Sequence, residues 1–182
     1  NPYVSPRLTH ITLSASGGSQ GNFGVRNYEA SPTMTHVTAS ASGGTDAFGV
    51  SNYRHSPTMN GVSASAAGAS DGNYGIRNYG ASVTMTNVIA SASGGTDAFA
   101  VYNYNGGSAS MTNVTASASG ASDENYGVRN GGLFPGVMRD VWADGLGGEC
   151  SAGVRTYGGT MTMTNVSASG SGGRLNYGLA FE

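Results

Sequence analysis

Gly, Ser, Thr, Ala and Asn dominate this 182-residue chain, so the few side chains that could do chemistry stand out. Three lie close together in "MRDVWAD": Arg139, Trp142 and Asp144, with Asp140 between them. A Trp beside a carboxylate and a guanidinium can stack on a sugar ring or anchor a partner. The alternative is that the bulkier loop "GGLFPG" folds over Trp142 and covers it. A second set recurs with the sequence: Asp46, Asp71, Asp97 and Asp123 each follow "GGT" or "GAS". Stacked as one acidic column, they would cap their own turns at an exposed edge. The sharper expectation for that column is a row of Ca²⁺ sites, because hard cations want oxygen ligands.

Other chemistry finds little support. Glycoside hydrolysis needs two carboxylates across one bond, and no such pair stands out. His10, His36 and His55 have no metal-binding spacing. The single Cys150 can form no internal disulfide and has no partner cysteine for a metal. The formal net charge is −2, and all basic residues are Arg, so no basic surface for nucleic acid is expected. No apolar run approaches the ~20 residues of a membrane span. The expectation is a non-enzyme with no catalytic residue and no cofactor beyond the Ca²⁺ reading.

The elements that carry these residues repeat. Leu8, Met34, Met59, Met85, Met111, Met138 and Met163 mark seven units spaced by 25 to 27 residues. A fixed period of this size indicates a solenoid. Within "MTHVTASASGG", Val37, Ala39 and Ala41 alternate with Thr38, Ser40 and Ser42, which predicts a strand with an apolar inner face and a hydroxyl outer face. The second segment alternates Phe48 with Val50, or Tyr74 with Ile76. No stretch carries a helical stripe, and Gly pairs, Ser-Pro and Asn mark the bends. The methionines form one core column and the alanines another. Arg26, Arg77 and Arg129 fall on alternate rungs, ~10 Å apart. The sixth unit, about residues 131–159, keeps the frame but changes most other positions. The whole of 1–182 reads as one domain.

The pattern in "MTNVIASAS" and "MTNVTASAS" resembles the coils of right-handed parallel β-helix proteins, the pectate-lyase-like superfamily. The resemblance implies an all-β, right-handed parallel β-helix, a β-solenoid of about seven coils of ~26 residues. It also implies an Asn ladder at the bend, here Asn87, Asn113 and Asn165 with Asp140, His10, His36 and Gly61 as substitutes. The catalytic branches of that superfamily carry paired carboxylates, a Ca²⁺-binding acidic cluster with Arg, or "NTD", "DD", "GHG" and "RIK" signatures. None of those four signatures occurs, which implies the non-catalytic type.

The start "NPYVSP" matches "NYEASP", and "NYGLAFE" at the end matches the same point of a coil. A second copy placed after residue 182 would continue the helix. A head-to-tail contact that does not close makes a filament. The functional expectation is therefore a structural fibre or shaft, extracellular or on a cell surface, whose partner is another copy of itself. Two alternatives stand beside it. One is a carbohydrate-binding or carbohydrate-active β-helix whose partner is a polysaccharide, with the site near Arg139, Asp140, Trp142 and Asp144. The other is an ice-binding solenoid, because Thr33-Met34-Thr35, Thr84-Met85-Thr86 and Thr162-Met163-Thr164 set ranks of Thr on one face. Arg7, Asn60, Val137 and Arg139 interrupt those ranks.

Overall fold

A strand with one apolar face must bury that face, and a repeated strand can do so against its own copies. The computed structural model describes residues 5–132 and 135–182. The first four residues of "NPYVSP" and Leu133–Phe134 of "GGLFPG" lie outside the described residues. The described chain is all β, two stacked parallel sheets forming a β-solenoid of seven turns. The first sheet has split strands in its first three coils: Arg7–Thr9 with Thr12–Ser16, Thr33–Thr35 with Thr38–Ser42, and Thr58–Asn60 with Ser63–Ala67. Continuous strands follow: Val83–Ser93, Ala109–Ser119, Gly136–Leu146 and Met161–Ser171. The second sheet stacks Gly21–Tyr28, Asp46–Tyr53, Gly72–Tyr79, Asp97–Tyr104, Glu124–Gly131, Cys150–Thr156 and Leu175–Phe181. The divergent sixth coil stays in register: Met138 pairs with Met111 and with Met163.

Each first-sheet segment bends at one residue with positive φ: His10, His36, Gly61, Asn87, Asn113, Asp140 and Asn165, all between 51° and 64°. Asn, Asp and His tolerate this region better than other side chains. The expected ladder is there in part, and it lies on the surface. Asn113 donates to Asn87 Oδ1 at 2.7 Å, Asn165 to Asp140 Oδ1 at 3.0 Å, and Asn87 to Asn60 Oδ1 at 3.3 Å. His10 and His36 stack, ring centroids 5.0 Å apart.

The methionine column is the core. Met34, Met59, Met85, Met111 and Met138 are fully sealed from water and pack with Val37, Ala39 and their copies. Val50, Ile76, Val101 and Val128 face them from the second sheet. Phe48 does not join Val50 there, contrary to the simple alternation. Gly49 lies between them and also faces inward: a Cβ on it would sit 2.7 Å from the Ser65 backbone N of the first sheet. Two consecutive inward residues, Gly49 and Val50, reset the alternation in every strand alike and leave Phe48 on the outer side. The two sheets thus touch backbone to backbone along a glycine waist, interrupted by the buried Ala100.

A second ladder runs inside. Asn27 donates to Asn52 Oδ1, Asn52 to Asn78 and Asn78 to Asn103, each at 2.7 Å and each buried. The ladder stops there: Asn103 Nδ2 and Asn130 Oδ1 are buried without partners.

Candidate functional site

Three outward surfaces carry the candidate residues. The first is the outer face of the first sheet. Thr33, Thr58, Thr84 and Ser110 align on successive rungs, then Val137 interrupts. Trp142 aligns with Thr115 below and Ser167 above, and is 56% exposed. Its indole N–H donates to Asp144, so the structure brings these two together. Arg139 and Asp140 are exposed on the same strand. The bulky Leu133 and Phe134 of the "GGLFPG" loop, on which the covering alternative rests, lie outside the described residues. Leu146, 53% exposed, lies on the same strand and adds apolar surface.

The second is the turn edge with the aspartates. They form two adjacent columns, not one. Asp46 and Asp97 both align with Gly72, and Glu124 follows above Asp97. Asp71 sits one residue earlier, bonded through its backbone to Thr45 and Thr96, and Asp123 likewise to Thr96. The longer turn of the odd coils shifts their Asp by one position. Asp46 and Asp97 do not cap their own turns; their carboxylates take the backbone N–H of Gly72 and Glu124 on the next rung. Partial burial, then Asp71, raises the Asp46 pKa; burial, then Glu124, raises that of Asp97. Among the described residues, no three His, Cys, Asp or Glu side chains converge as a metal site would require.

The third surface is a trough on the outer face of the second sheet, where the arginines expected on alternate rungs lie beside Phe48 and Tyr74. The displaced aromatic column runs Phe23, Phe48, Tyr74, Phe99 and Tyr126, with neighbouring centroids 4.7 to 5.6 Å apart. Beside it lies the arginine column: Arg26, Ser51, Arg77, Tyr102, Arg129 and Arg155 on successive rungs. Tyr28, Tyr53 and Tyr79 stack along the far side. Guanidinium groups cover the rings: Arg26 lies 4.9 Å from the Phe23 centroid and Arg77 5.4 Å from that of Phe48. Burial, then the charge of Asp46, pushes the Tyr74 phenol up to about 12.

The two ends of this trough differ. Arg129 pairs with Glu124 at 2.8 Å, and Arg155 reaches Glu124 at 3.2 Å and Glu182 at 2.8 Å. Burial opposes the Arg155 charge, but bonds to Glu182 and Tyr126 hold its pKa above the ordinary value. Arg26 and Arg77 have no such carboxylate partner among the described residues. The signal in the sequence was one substitution: "DEN" at residues 123–125 where coil three reads "DGN". Two cavities open at the unpaired end. One of about 540 Å³ is bounded by Phe23, Asp46, Phe48 and Arg77. The other, about 230 Å³, lies among Arg26, Tyr28, Ser51, Tyr53 and Arg77.

No family model, no curated protein and no solved structure matches this chain. Among the described residues, no helix is long and apolar enough to cross a membrane.

Proposed function

We propose that this protein is a structural solenoid of the right-handed, non-catalytic parallel β-helix kind, which stacks head to tail on copies of itself as an extracellular or surface fibre. The observation that carries this reading is a coil-to-coil clamp that recurs along the stack. Asn22, Asn73 and Asn125 each bond their own turn. Each then donates onward to the first glycine carbonyl of the next coil: Gly43, Gly94 and Gly147. Asn176 grips its own turn through Gly173 in the same way but makes no onward bond. Gly17 of a second copy offers the matching acceptor, with φ +84° against +74° to +90° for those three glycines.

Apolar surface supports the same contact. Leu175, Tyr177 and Leu179 on the last rung are each about 42% exposed or close to it, although Val25, Val50 and Val154 in the Leu179 column are buried. Unpaired strand edges of this kind template pairing with another chain. The test is electron microscopy of the 182-residue protein at several concentrations. Filaments with a subunit repeat of ~33 Å, seven rungs, are expected. Discrete particles at every concentration would overturn the reading.

A further inference from the structure

We propose that the open end of the second-sheet trough, at Arg26 and Arg77, binds a linear polysaccharide in which acidic and neutral sugars alternate. This reaches beyond the shaft reading, because the trough lies on the side of the solenoid and does not depend on its ends.

The argument starts from one column with two fates. Arg26, Arg77, Arg129 and Arg155 share a column and all lie against aromatic rings. Glu124 and Glu182 neutralise the last two. At the equivalent of Glu124, coil three has Gly72, and coil one has Gly21. Among the described residues the first two guanidinium groups therefore form no close ion pair; the Asp46 carboxylate across the larger cavity acts on Arg77 only from a distance. A guanidinium lying over a ring still has its in-plane N–H donors, in the fork geometry that suits an oxyanion.

Spacing selects the ligand. Arg26 and Arg77 are two rungs apart with Ser51 between, ~10 Å. An extended glycan with one carboxylate on every second sugar has a charge repeat of the same length. A glycan charged on every sugar, or a nucleic-acid backbone, would set an anion against Ser51 between the arginines. The small cavity sits between the two arginines, and the larger one continues past Arg77 to Asp46. Asp46 offers an acceptor for sugar hydroxyls and repels a densely charged polyanion. Tyr28, 58% exposed, borders the small cavity with an amphipathic ring suited to a sugar's C–H face. The net charge of −2 gives no general attraction for polyanions, so retention would rest on this local pair.

The probe is a hyaluronan oligosaccharide, which carries one carboxylate per two sugars, immobilised and tested against the 182-residue protein by surface plasmon resonance. Polygalacturonate, polyphosphate and duplex DNA are the comparison ligands. Salt-sensitive binding is expected, weakened at least tenfold in Arg26→Gln and in Arg77→Gln. Gly72→Glu provides a variant that removes no arginine: it sets a carboxylate on the strand of Arg77, as Glu124 is on that of Arg129, at the cost of shifting the Tyr74 ring and the Asp46 carboxylate that a Cβ there would meet at 2.5 and 2.7 Å, and it should abolish binding. Circular dichroism checks that each variant is folded. No binding, binding that survives all three substitutions, or equal binding of the comparison polyanions would overturn the proposal. Microscopy of the same samples reports on fibre formation separately, so failure of one reading leaves the other standing.

Discussion

The Asn52 side chain donates to Oδ1 of Asn78 at 2.7 Å inside the solenoid, where neither residue is more than 1% exposed. Asn78 passes the pattern on to Asn103. A buried amide that loses its partner bears its full desolvation penalty. Asn78→Ala would strand the Asn52 donor and the Asn103 acceptor together. We expect a loss of about 2–4 kcal/mol, read from urea denaturation midpoints. Asn130→Ala should cost clearly less, because Asn130 Oδ1 already takes no bond. Equal losses would mean that the ladder itself adds nothing.

The glycine waist makes a second prediction. A Cβ on Gly75 would lie 2.6 Å from the Ala100 carbonyl oxygen and 2.8 Å from that of Ser91. Both are backbone atoms, one on the next rung of the same sheet and one on the facing sheet, so both the rung and the sheet contact must give to admit it. Gly75→Ala should destabilise the fold by about 1–3 kcal/mol, as overpacking does. Thermal melting followed by circular dichroism would show it, and an unchanged melt would contradict the close approach of the sheets.

Trp142 should behave as a surface residue. Coils five and seven have Thr115 and Ser167 at its position, so Trp142→Ser restores the repeat. Stability should change by no more than about 0.5 kcal/mol. Iodide should quench the fluorescence of this single Trp efficiently. A protected indole, or a large loss of stability, would show that something covers it.

Acid pH should favour the fold slightly. Burial and then Asp71 raise Asp46; burial and then Glu124 raise Asp97. The native state therefore holds these protons more tightly than the unfolded chain does. Their contribution is fully present below the unfolded value near ~4 and is lost as pH rises through the folded values. Asp97→Asn should flatten the slope of denaturation midpoint against pH in that window. An unchanged slope would rule out Asp97 as its source.

At the alkaline end the same sign applies to the buried phenols. Tyr74 is raised to about 12 from its ordinary value of 10, and burial raises Tyr102 and Tyr126 as well. The unfolded chain gives up these protons first, so stability should fall as pH climbs between 10 and about 12. Ultraviolet absorbance should show Tyr74, Tyr102 and Tyr126 ionising as the protein unfolds. Ionisation of these three near the ordinary phenol value with the fold intact would contradict the burial.

Much of the architecture is local and periodic, and that part is readable from residues alone. The return of Met34, Met59, Met85, Met111 and Met138 every 25 to 27 residues places them in one column. Alternation at Val37, Ala39 and Ala41 points them inward, because successive strand side chains leave on opposite faces. The parallel solenoid and its seven coils follow from that period. The outward placement of Trp142 follows too, since it replaces a hydroxyl residue of the pattern.

What depends on distance between non-neighbours became visible only in three dimensions. Gly49 looked like one more strand residue; the closeness of Ser65 across the waist makes it point inward and sends Phe48 outward. The aspartates looked like one column until the longer odd turns split them across rungs. Asn52 and Asn78 recur with Asn27, Asn103 and Asn130 in five successive coils, more regularly than Asn87, Asn113 and Asn165 at the bend, yet burial and bonding into a ladder are visible only in the fold. Arg77 and Arg129 occupy equivalent places in their repeats; Glu124 on the same strand pairs with Arg129 where Gly72 offers Arg77 no carboxylate, and only the stack shows that Glu124 also reaches Arg155 one rung on. Strand alternation is set by the chain's own geometry. Charge pairing and close sheet contact are set by which residues the register brings face to face, and that is a property of the stacked whole.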